Sequence, residues 1–232
     1  MKNDKMSTRD GSSNPPPGSG GRGGTFGNFD DDYPERDEKA WNDPLADEFI
    51  RQVRKKNPDD AKLLQAWTGS SGPFNEPARE GKATPEIERL VKIIDSYEVP
   101  DNAKMFRAET RDMLVAYRKK KAKFEEGEVV VLGGFTSVSA TKKAFQETRK
   151  VFELWGSPKM SVEIEFFVPK GTKAIPLSKV SRQLRDGRLK YEFQKEWLLQ
   201  KDTKVLVLEN RKQNGKVFLK LLVLNQREEN KK

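Results

Sequence analysis

The order of its periodic segments constrains what this chain can fold into more than any other feature. Helix-spaced apolar residues fill the stretch from Trp41 to Pro100, and strand-like apolar runs fill most of the sequence beyond it. Alternating strands and helices form parallel sheets, whereas helices followed by strands form α+β domains. The sequence therefore predicts an α+β domain with mixed sheets and helices on its N-terminal side.

Three helices are predicted before Pro100 and a fourth beyond it. The first carries Leu45, Phe49, Ile50 and Val53, the second begins at Pro58, and the third follows the N-cap pair Thr84 and Pro85. Residues 68–72 form a Gly/Ser loop between the second and third. The fourth helix is expected at 141–154, and strands are expected near 104–109, 129–132, 162–168, 191–199, 204–208 and 217–224, with Asn214 and Gly215 as a hairpin turn.

Residues 1–40 differ from the rest of the chain in composition. They contain the tract SSNPPPGSGGRGG and an acidic run at 30–32, with too few apolar side chains to offset the entropy of ordering. We expect a disordered tail over 1–40, a single domain over 41–228, and independent folding of a chain that begins at Ala40. Gly18, Gly20 and Gly23 match the spelling of a dinucleotide-binding turn, but three prolines precede them and no helical pattern follows.

The absence of two residue types limits the chemistry. The chain has neither cysteine nor histidine, which excludes disulfides, thiolate and imidazole metal sites, and imidazole proton transfer. Catalysis would depend on carboxylates, Arg, Lys, hydroxyls and amides. We expect no metal.

The charge balance of +9 leaves nucleic-acid binding open as an alternative. The basic residues are spread along the chain without a nucleic-acid motif, so a solvated surface is the favoured interpretation. The sequence lacks both a long apolar span and a signal-peptide pattern, which predicts a cytoplasmic protein without a membrane partner. It contains no firm sign of oligomerisation.

Two polar groups follow apolar strands. Arg107 follows Met105 and Phe106, where an inward guanidinium would need an anionic partner, although a surface ion pair is equally consistent. In the turn GGFTSVS, the hydroxyls of Ser137 and Ser139 either hold a ligand or cap the next helix.

A third polar group lies in the predicted strand 191–199. Glu192, Gln194 and Glu196 share one face if this strand is regular, because side chains alternate. Taken alone, that face is most simply a solvated strand edge.

The chain resembles the Arg-Ser-Glu class of mono-ADP-ribosyltransferases in three places that follow one another in the family's order: Arg107, GGFTSVS and EFQKEWLLQKDTKVLVLE. This class includes clostridial binary toxins, Rho-modifying exoenzymes and phage-encoded transferases. The segments AWTGSSGPFNEPARE, LVKIIDSYEVPDNAKMFR and EIEFFVPKGTKAIPLSKVS are similar to further parts of that family. The resemblance implies the ADP-ribosyltransferase fold, with two packed mixed or antiparallel β-sheets behind N-terminal helices. It also implies NAD as co-substrate and a target protein in a host cell.

The resemblance implies roles for individual residues. Glu196 aligns with the catalytic glutamate, which would stabilise the positive charge that develops on ribose as the nicotinamide bond breaks. Arg107 aligns with the arginine on the NAD diphosphate, a task that suits a planar bidentate cation. Ser137 and Ser139 align with the two serines that brace the pocket and the glutamate.

The resemblance implies further roles for residues that match the family one position at a time. Asn75 and Arg79 match the Asn and Arg at the end of a helix-to-loop segment of the cofactor site. Phe145 and Arg149 match a nicotinamide-phosphate loop, although core packing explains Phe145 equally well. The target-recognition aromatic of the family corresponds to Tyr191 and Phe193.

Three positions bear on activity. Gln194 replaces the first glutamate of an ExE motif, which implies an acceptor other than arginine, and Glu192 would supply the missing carboxylate only in a different strand register. Ala108 stands where the family often has glycine, so its methyl group would crowd NAD. Val138 is expected to turn away from the serines.

The favoured hypothesis is a protein mono-ADP-ribosyltransferase that acts in the cytoplasm of the target cell. Packaging in a phage virion and delivery by a secretion system remain two routes to that cell. The alternatives are a catalytically inactive virion protein of the same fold and a basic nucleic-acid-binding protein.

Overall fold

The helices precede most of the strands along the chain. The computed structural model describes residues 29–110, 124–156, 160–181 and 189–224. Its helical elements are α1 (Phe29–Asp32), a π-helical turn (Glu38–Asn42), α2 (Asp43–Lys56), α3 (Pro58–Gly69), α4 (Gly72–Arg79), α5 (Pro85–Asp95) and α6 (Lys142–Leu154). Within the described residues, no helix is long and apolar enough to cross a membrane.

The helix starts follow from their caps. The side chains of Asn57, Thr84 and Thr141 accept hydrogen bonds from backbone N–H groups in the first turns of α3, α5 and α6. The predicted helices are therefore confirmed. The predicted Gly/Ser loop is shorter than expected, because α3 continues through Gly69 and α4 begins at Gly72.

The strands of the described residues form one sheet with the order β2-β7-β8-β4-β1-β3-β6-β5. Among these strands only β4 and β8 pair in parallel. Asn214 and Gly215 both have positive φ, as the predicted hairpin turn requires. The strands are β1 (Ala103–Glu109), β2 (Val129–Val131), β3 (Thr136–Ser139), β4 (Val162–Val168), β5 (Ala174–Pro176), β6 (Glu196–Leu199), β7 (Lys204–Gln213) and β8 (Lys216–Val223).

The sheet has a seam between β1 and β3, where Phe106 and Ser139 form the one matched residue pair. Val138 and Trp197 on one side of the seam share a core cluster with Met105 and Val207 on the other. The α+β class is thus confirmed, and the two packed sheets of the prediction are two parts of one hydrogen-bonded sheet. The seam also brings the end of β1 close to the hydroxyls of β3.

A second core lies between the helices and the outer face of β5 and β6. Ile175 and Leu198 from these strands pack in one cluster with Leu64 of α3 and with Ile87 and Leu90 of α5. The apolar residues of α5 recur at helical spacing and are buried on one face. This packing fixes α3 over the strand that begins with Glu196.

The predicted strand 191–199 is wrong in its first half. Glu192–Gln194 form a 3₁₀ turn, Lys195 has a left-handed backbone with φ 43°, and the strand begins only at Glu196. The Lys195 Nζ is buried and lies 2.9 Å from Asp43 Oδ1, which holds the turn against the start of α2. This long-range ion pair overrides the local strand pattern.

Residues 29–40, assigned to the tail from composition, pack on the domain. Arg36 donates two hydrogen bonds to the Asn102 carbonyl, at 2.9 and 2.7 Å. The rings of Phe29 and Tyr33 lie 5.5 and 5.6 Å from that of Phe167 on β4. A boundary at residue 40 therefore cuts through these contacts, while the prediction for residues 1–28 concerns a part of the chain outside the described residues.

This packing predicts different outcomes for two shortened chains. A chain that begins at Phe29 should unfold in urea within about 0.5 kcal/mol of the full-length protein. A chain that begins at Ala40 should lose about 2–4 kcal/mol, because it gives up partly buried aromatic surface and the Arg36 hydrogen bonds. Equal midpoints for the two shortened chains would show that residues 29–39 add no stability.

Candidate active site

A cleft of about 380 Å³ opens beside the seam of the sheet. Its walls come from the α3–α4 junction, the end of β1, strand β3, helix α6 and the turn before β6. Most of the predicted site residues line it: Arg107, Ser137, Ser139, Phe145, Arg149, Tyr191, Gln194 and Glu196. Residues from distant parts of the sequence therefore meet in one depression.

The carboxylate of Glu196 is held by two hydrogen bonds to one oxygen. Ser137 Oγ donates to Glu196 Oε1 at 2.6 Å, and Trp67 Nε1 donates to the same atom at 3.3 Å. Burial raises the pKa of Glu196, and this outweighs the hydrogen bonds from Ser137 and Trp67 and the positive charge of Arg107, which all lower it. The Glu196 carboxylate is thus fixed in position, and burial destabilises its ionised form.

The antiparallel pairing of β3 with β6 places the hydroxyls of β3 correctly for this contact. Ser139 pairs with Glu196 and Val138 pairs with Trp197. Val138 is buried in the core, as the alternation predicts, so the two serines face the cleft. Thr141 provides the cap of α6. The cap of α6 is therefore Thr141 rather than Ser137 or Ser139, and Ser137 binds the Glu196 carboxylate, while a ligand-binding role of the two serines stays a prediction.

Arg107 lies within an ion pair inside the cleft rather than on the open surface. Its Nε donates to Glu109 Oε1 at 2.5 Å, and its NH1 donates to the Ser137 carbonyl oxygen. The anionic partner that an inward guanidinium requires is thus Glu109. Strand alternation could have identified it, because Glu109 lies two residues after Arg107 on the same strand.

Helix α6 forms the wall opposite α3. Phe145 is buried, with its ring 6.2 Å from that of Phe106, so it both packs in the core and lines the cleft. Arg149 lies 2.5 Å from Glu163 and 3.0 Å from Glu153. The neighbouring Thr148 Oγ1 is buried and has no hydrogen-bond partner among the described residues.

The turn before β6 separates residues that an extended strand would place on one face. Tyr191 and Gln194 line the cleft together with Glu196. Glu192 instead pairs with Lys179 and lies 3.7 Å from Lys195, and neither it nor Phe193 belongs to the cleft lining. The expectation that Glu192 shares the face of Glu196 is therefore wrong.

Asn75 and Arg79 do not line the cleft either, and they lie behind it. Asn75 Oδ1 accepts a hydrogen bond from the Phe135 N–H at 2.8 Å. The Phe135 ring lies 5.5 Å from that of Trp67, which in turn holds Glu196. Asn75 thus contacts the site through Phe135, and the cofactor-binding role that the resemblance implies for Asn75 and Arg79 stays a prediction.

Trp67 and Thr148 were not identified as site residues from the sequence. The hydrogen bond from Trp67 to Glu196 joins residues 129 positions apart, so no local pattern signals it. Thr148 lies between two candidate residues on α6 but has no motif of its own. Both become visible only when the walls of the cleft are assembled.

The groups that line the cleft can bind a ligand that carries both phosphate and an apolar ring. Arg107 and Arg149 supply planar cations for phosphate oxygens. Phe145 offers an apolar ring, and Glu196 supplies the fixed negative charge. Among the described residues, no group of acidic side chains is arranged to hold a metal ion.

Comparison with known proteins defines the class of fold. No protein-family model matches the sequence, and no curated protein matches it. Among solved structures the chain has the fold of bacterial mono-ADP-ribosyltransferase toxins of the C3 type. At these low identities the likeness establishes the fold.

Three of these structures cover most of the chain. Plx2a, an ADP-ribosyltransferase toxin from Paenibacillus larvae, matches with a TM-score of 0.59 and 18% identity over 83% of this chain and 100% of its own. The C3 exoenzyme of Clostridium limosum has a TM-score of 0.61 and 16% identity, covering 85% and 100%. C3stau2 from S. aureus, solved with NAD, has a TM-score of 0.57 and 18% identity, covering 80% and 95%.

The turn before β3 generates a stability prediction. Gly134 has φ +76°, and a methyl group there would lie 2.8 Å from Asn75 Oδ1, whereas Gly127 has φ +84° and open space around it. Gly134→Ala should therefore destabilise by about 1–3 kcal/mol more than Gly127→Ala, because only the former disturbs the Asn75–Phe135 hydrogen bond. Urea denaturation of both variants measures the difference, and equal losses would contradict it.

The raised pKa of Glu196 predicts a pH dependence of stability. A folded-state pKa above the unfolded value stabilises the fold at low pH, and this contribution is lost as pH rises through the folded pKa. Glu196→Gln keeps an acceptor oxygen and does not titrate, so its stability relative to wild type should increase from pH 4 to pH 7. Urea denaturation across this range measures it. A relative stability that decreases would place the pKa below its ordinary value.

Proposed function

We propose that this protein is an NAD-dependent mono-ADP-ribosyltransferase that modifies a protein acceptor other than arginine. The observation that carries the proposal is Glu196, a carboxylate fixed by Ser137 and Trp67 in a cleft that Arg107 also lines. The shared fold with ADP-ribosyltransferase toxins supports it. Fold alone does not specify chemistry, so the argument depends on the site.

The proposed chemistry uses side chains that are already in place. Arg107 and Arg149 would bind the diphosphate of NAD, and the Phe145 ring would pack against nicotinamide. Breaking the bond between nicotinamide and ribose builds positive charge on the sugar. The ionised Glu196, held in a cleft of low dielectric, would stabilise that charge. Ser137 and Trp67 would keep the carboxylate oriented.

The acceptor is proposed from the groups beside Glu196. Gln194 lines the cleft, and Glu192 is bound to Lys179. An amide can bind an amide or hydroxyl acceptor by hydrogen bonds, but it cannot take a proton from a guanidinium. Tyr191 at the cleft, with Phe193 beside it in the sequence, would contact the target protein. We propose that this target lies inside a host cell.

NAD hydrolysis by the purified protein tests the proposal directly. Glu196→Gln should lower the rate of hydrolysis by about 10²–10³, because it removes the charge that stabilises the transition state. Glu88→Gln is the matched control and should retain activity, since Glu88 is exposed on α5 and does not line the cleft. Thermal unfolding verifies that both variants fold. Near-normal turnover by Glu196→Gln would reject it as the catalytic carboxylate, and an inactive wild-type protein would favour a non-catalytic role.

A variant that retains NAD hydrolysis but loses transfer to protein tests which type of residue accepts the ADP-ribose. Gln194→Ala should retain substantial NAD hydrolysis and lose protein modification, because Glu196 serves the sugar and Gln194 serves the acceptor. The ADP-ribose can be located by mass spectrometry on the automodified protein or on a modified target. Modification of arginine by the wild-type protein would contradict the assignment.

A further inference from the structure

Glu109 is a carboxylate in the cleft to which the sequence resemblance assigns no role. It ends β1, on the same side of the strand as Arg107, and it lines the cleft. Its side chain is only 6% exposed. A buried carboxylate beside a proposed diphosphate-binding group needs an explanation, because on its own it would repel the ligand and is costly to bury.

The contacts of Glu109 fix one edge of the guanidinium. Its Oε1 accepts a hydrogen bond from Arg107 Nε at 2.5 Å and also contacts NH2. The NH1 group donates to the Ser137 carbonyl oxygen on the neighbouring strand. Partners on two sides of a planar group determine both its position and its plane, so little rotamer freedom remains to be lost when a ligand binds.

The same contacts connect Glu109 to the catalytic end of the cleft. The Ser137 carbonyl accepts from Arg107, and the Ser137 hydroxyl donates to Glu196 Oε1 at 2.6 Å. Glu109, Arg107, Ser137 and Glu196 therefore form one continuous network. The orientation of the guanidinium is set within the same network that holds the carboxylate.

We infer that Glu109 is a positioning residue, which holds the Arg107 guanidinium in the orientation that receives the NAD diphosphate. The inference rests on the proposed function. Two effects of Glu109 oppose each other, namely its repulsion of the diphosphate and its orientation of Arg107. The arginine charge offsets the repulsion, whereas a loss of orientation affects every hydrogen bond that the guanidinium makes. Removal of Glu109 should therefore weaken binding.

A double-mutant cycle on the full-length protein tests the inference. Glu109→Ala, Arg107→Lys and the double variant are compared by calorimetric Kd for ADP-ribose and by KM and kcat for NAD hydrolysis. Glu109→Ala alone should raise Kd and KM about tenfold, with a smaller change in kcat. In the Arg107→Lys background it should change them less than about twofold, because an ammonium lacks the edge that Glu109 orients. Glu109→Gln keeps an acceptor oxygen and should recover most of the loss.

Several results would overturn the inference. Equal losses in both backgrounds would show that Glu109 acts independently of Arg107. A lower Kd for Glu109→Ala would show that the carboxylate competes with the diphosphate. If Glu109→Ala does not fold, Glu109→Met has a similar length without an acceptor and carries the same comparison. A wild-type protein that neither binds ADP-ribose nor cleaves NAD would instead refute the proposed function itself.

Discussion

The site depends on a buried ion cluster around Lys195. Its ammonium lies 2.9 Å from Asp43, 3.4 Å from Glu38 and 3.7 Å from Glu192, and its backbone is left-handed. A non-glycine residue in this conformation costs about 1–2 kcal/mol, so the surrounding contacts must hold it there. Removing one of these three carboxylates would leave the buried ammonium less well compensated. The cluster thereby fixes the turn that brings Gln194 and Glu196 to the same cleft.

The same region ties the N-terminal helices to β6, the strand that begins with Glu196. Trp197 Nε1 donates to Asn42 Oδ1 at 2.8 Å, and the rings of Trp41 and Trp197 stack with centroids 5.2 Å apart. Trp197 and Lys195, the residues on either side of Glu196, are therefore both anchored to the start of α2. The carboxylate lies between two fixed neighbours, which suits a group that must hold its position while charge develops nearby.

The sequence predicted the elements that local patterns determine. Caps and apolar spacing located α5 and α6, and short segments rich in apolar residues located β1 and β4 close to their observed bounds. The resemblance located Arg107, Ser137 and Glu196, which the structure brings together. The strand predicted over 191–199 is wrong where a distant residue decides its start, because Lys195 turns the chain and pairs with Asp43. The hydrogen bond from the Phe135 N–H to Asn75 is likewise a contact between distant residues. No periodicity within either segment encodes these partners.

The position of β8 constrains the order in which the domain can be built. This strand is among the last described residues in the chain, yet it lies between β7 and β4 in the sheet. Val217, Leu219, Leu221 and Val223 point from it into the main core. While a ribosome is still synthesising these residues, β4 lacks its parallel partner and the core lacks one wall. A chain synthesised only as far as β7 therefore cannot complete the scaffold of the cleft, and the sheet can close only after β8 has left the ribosome.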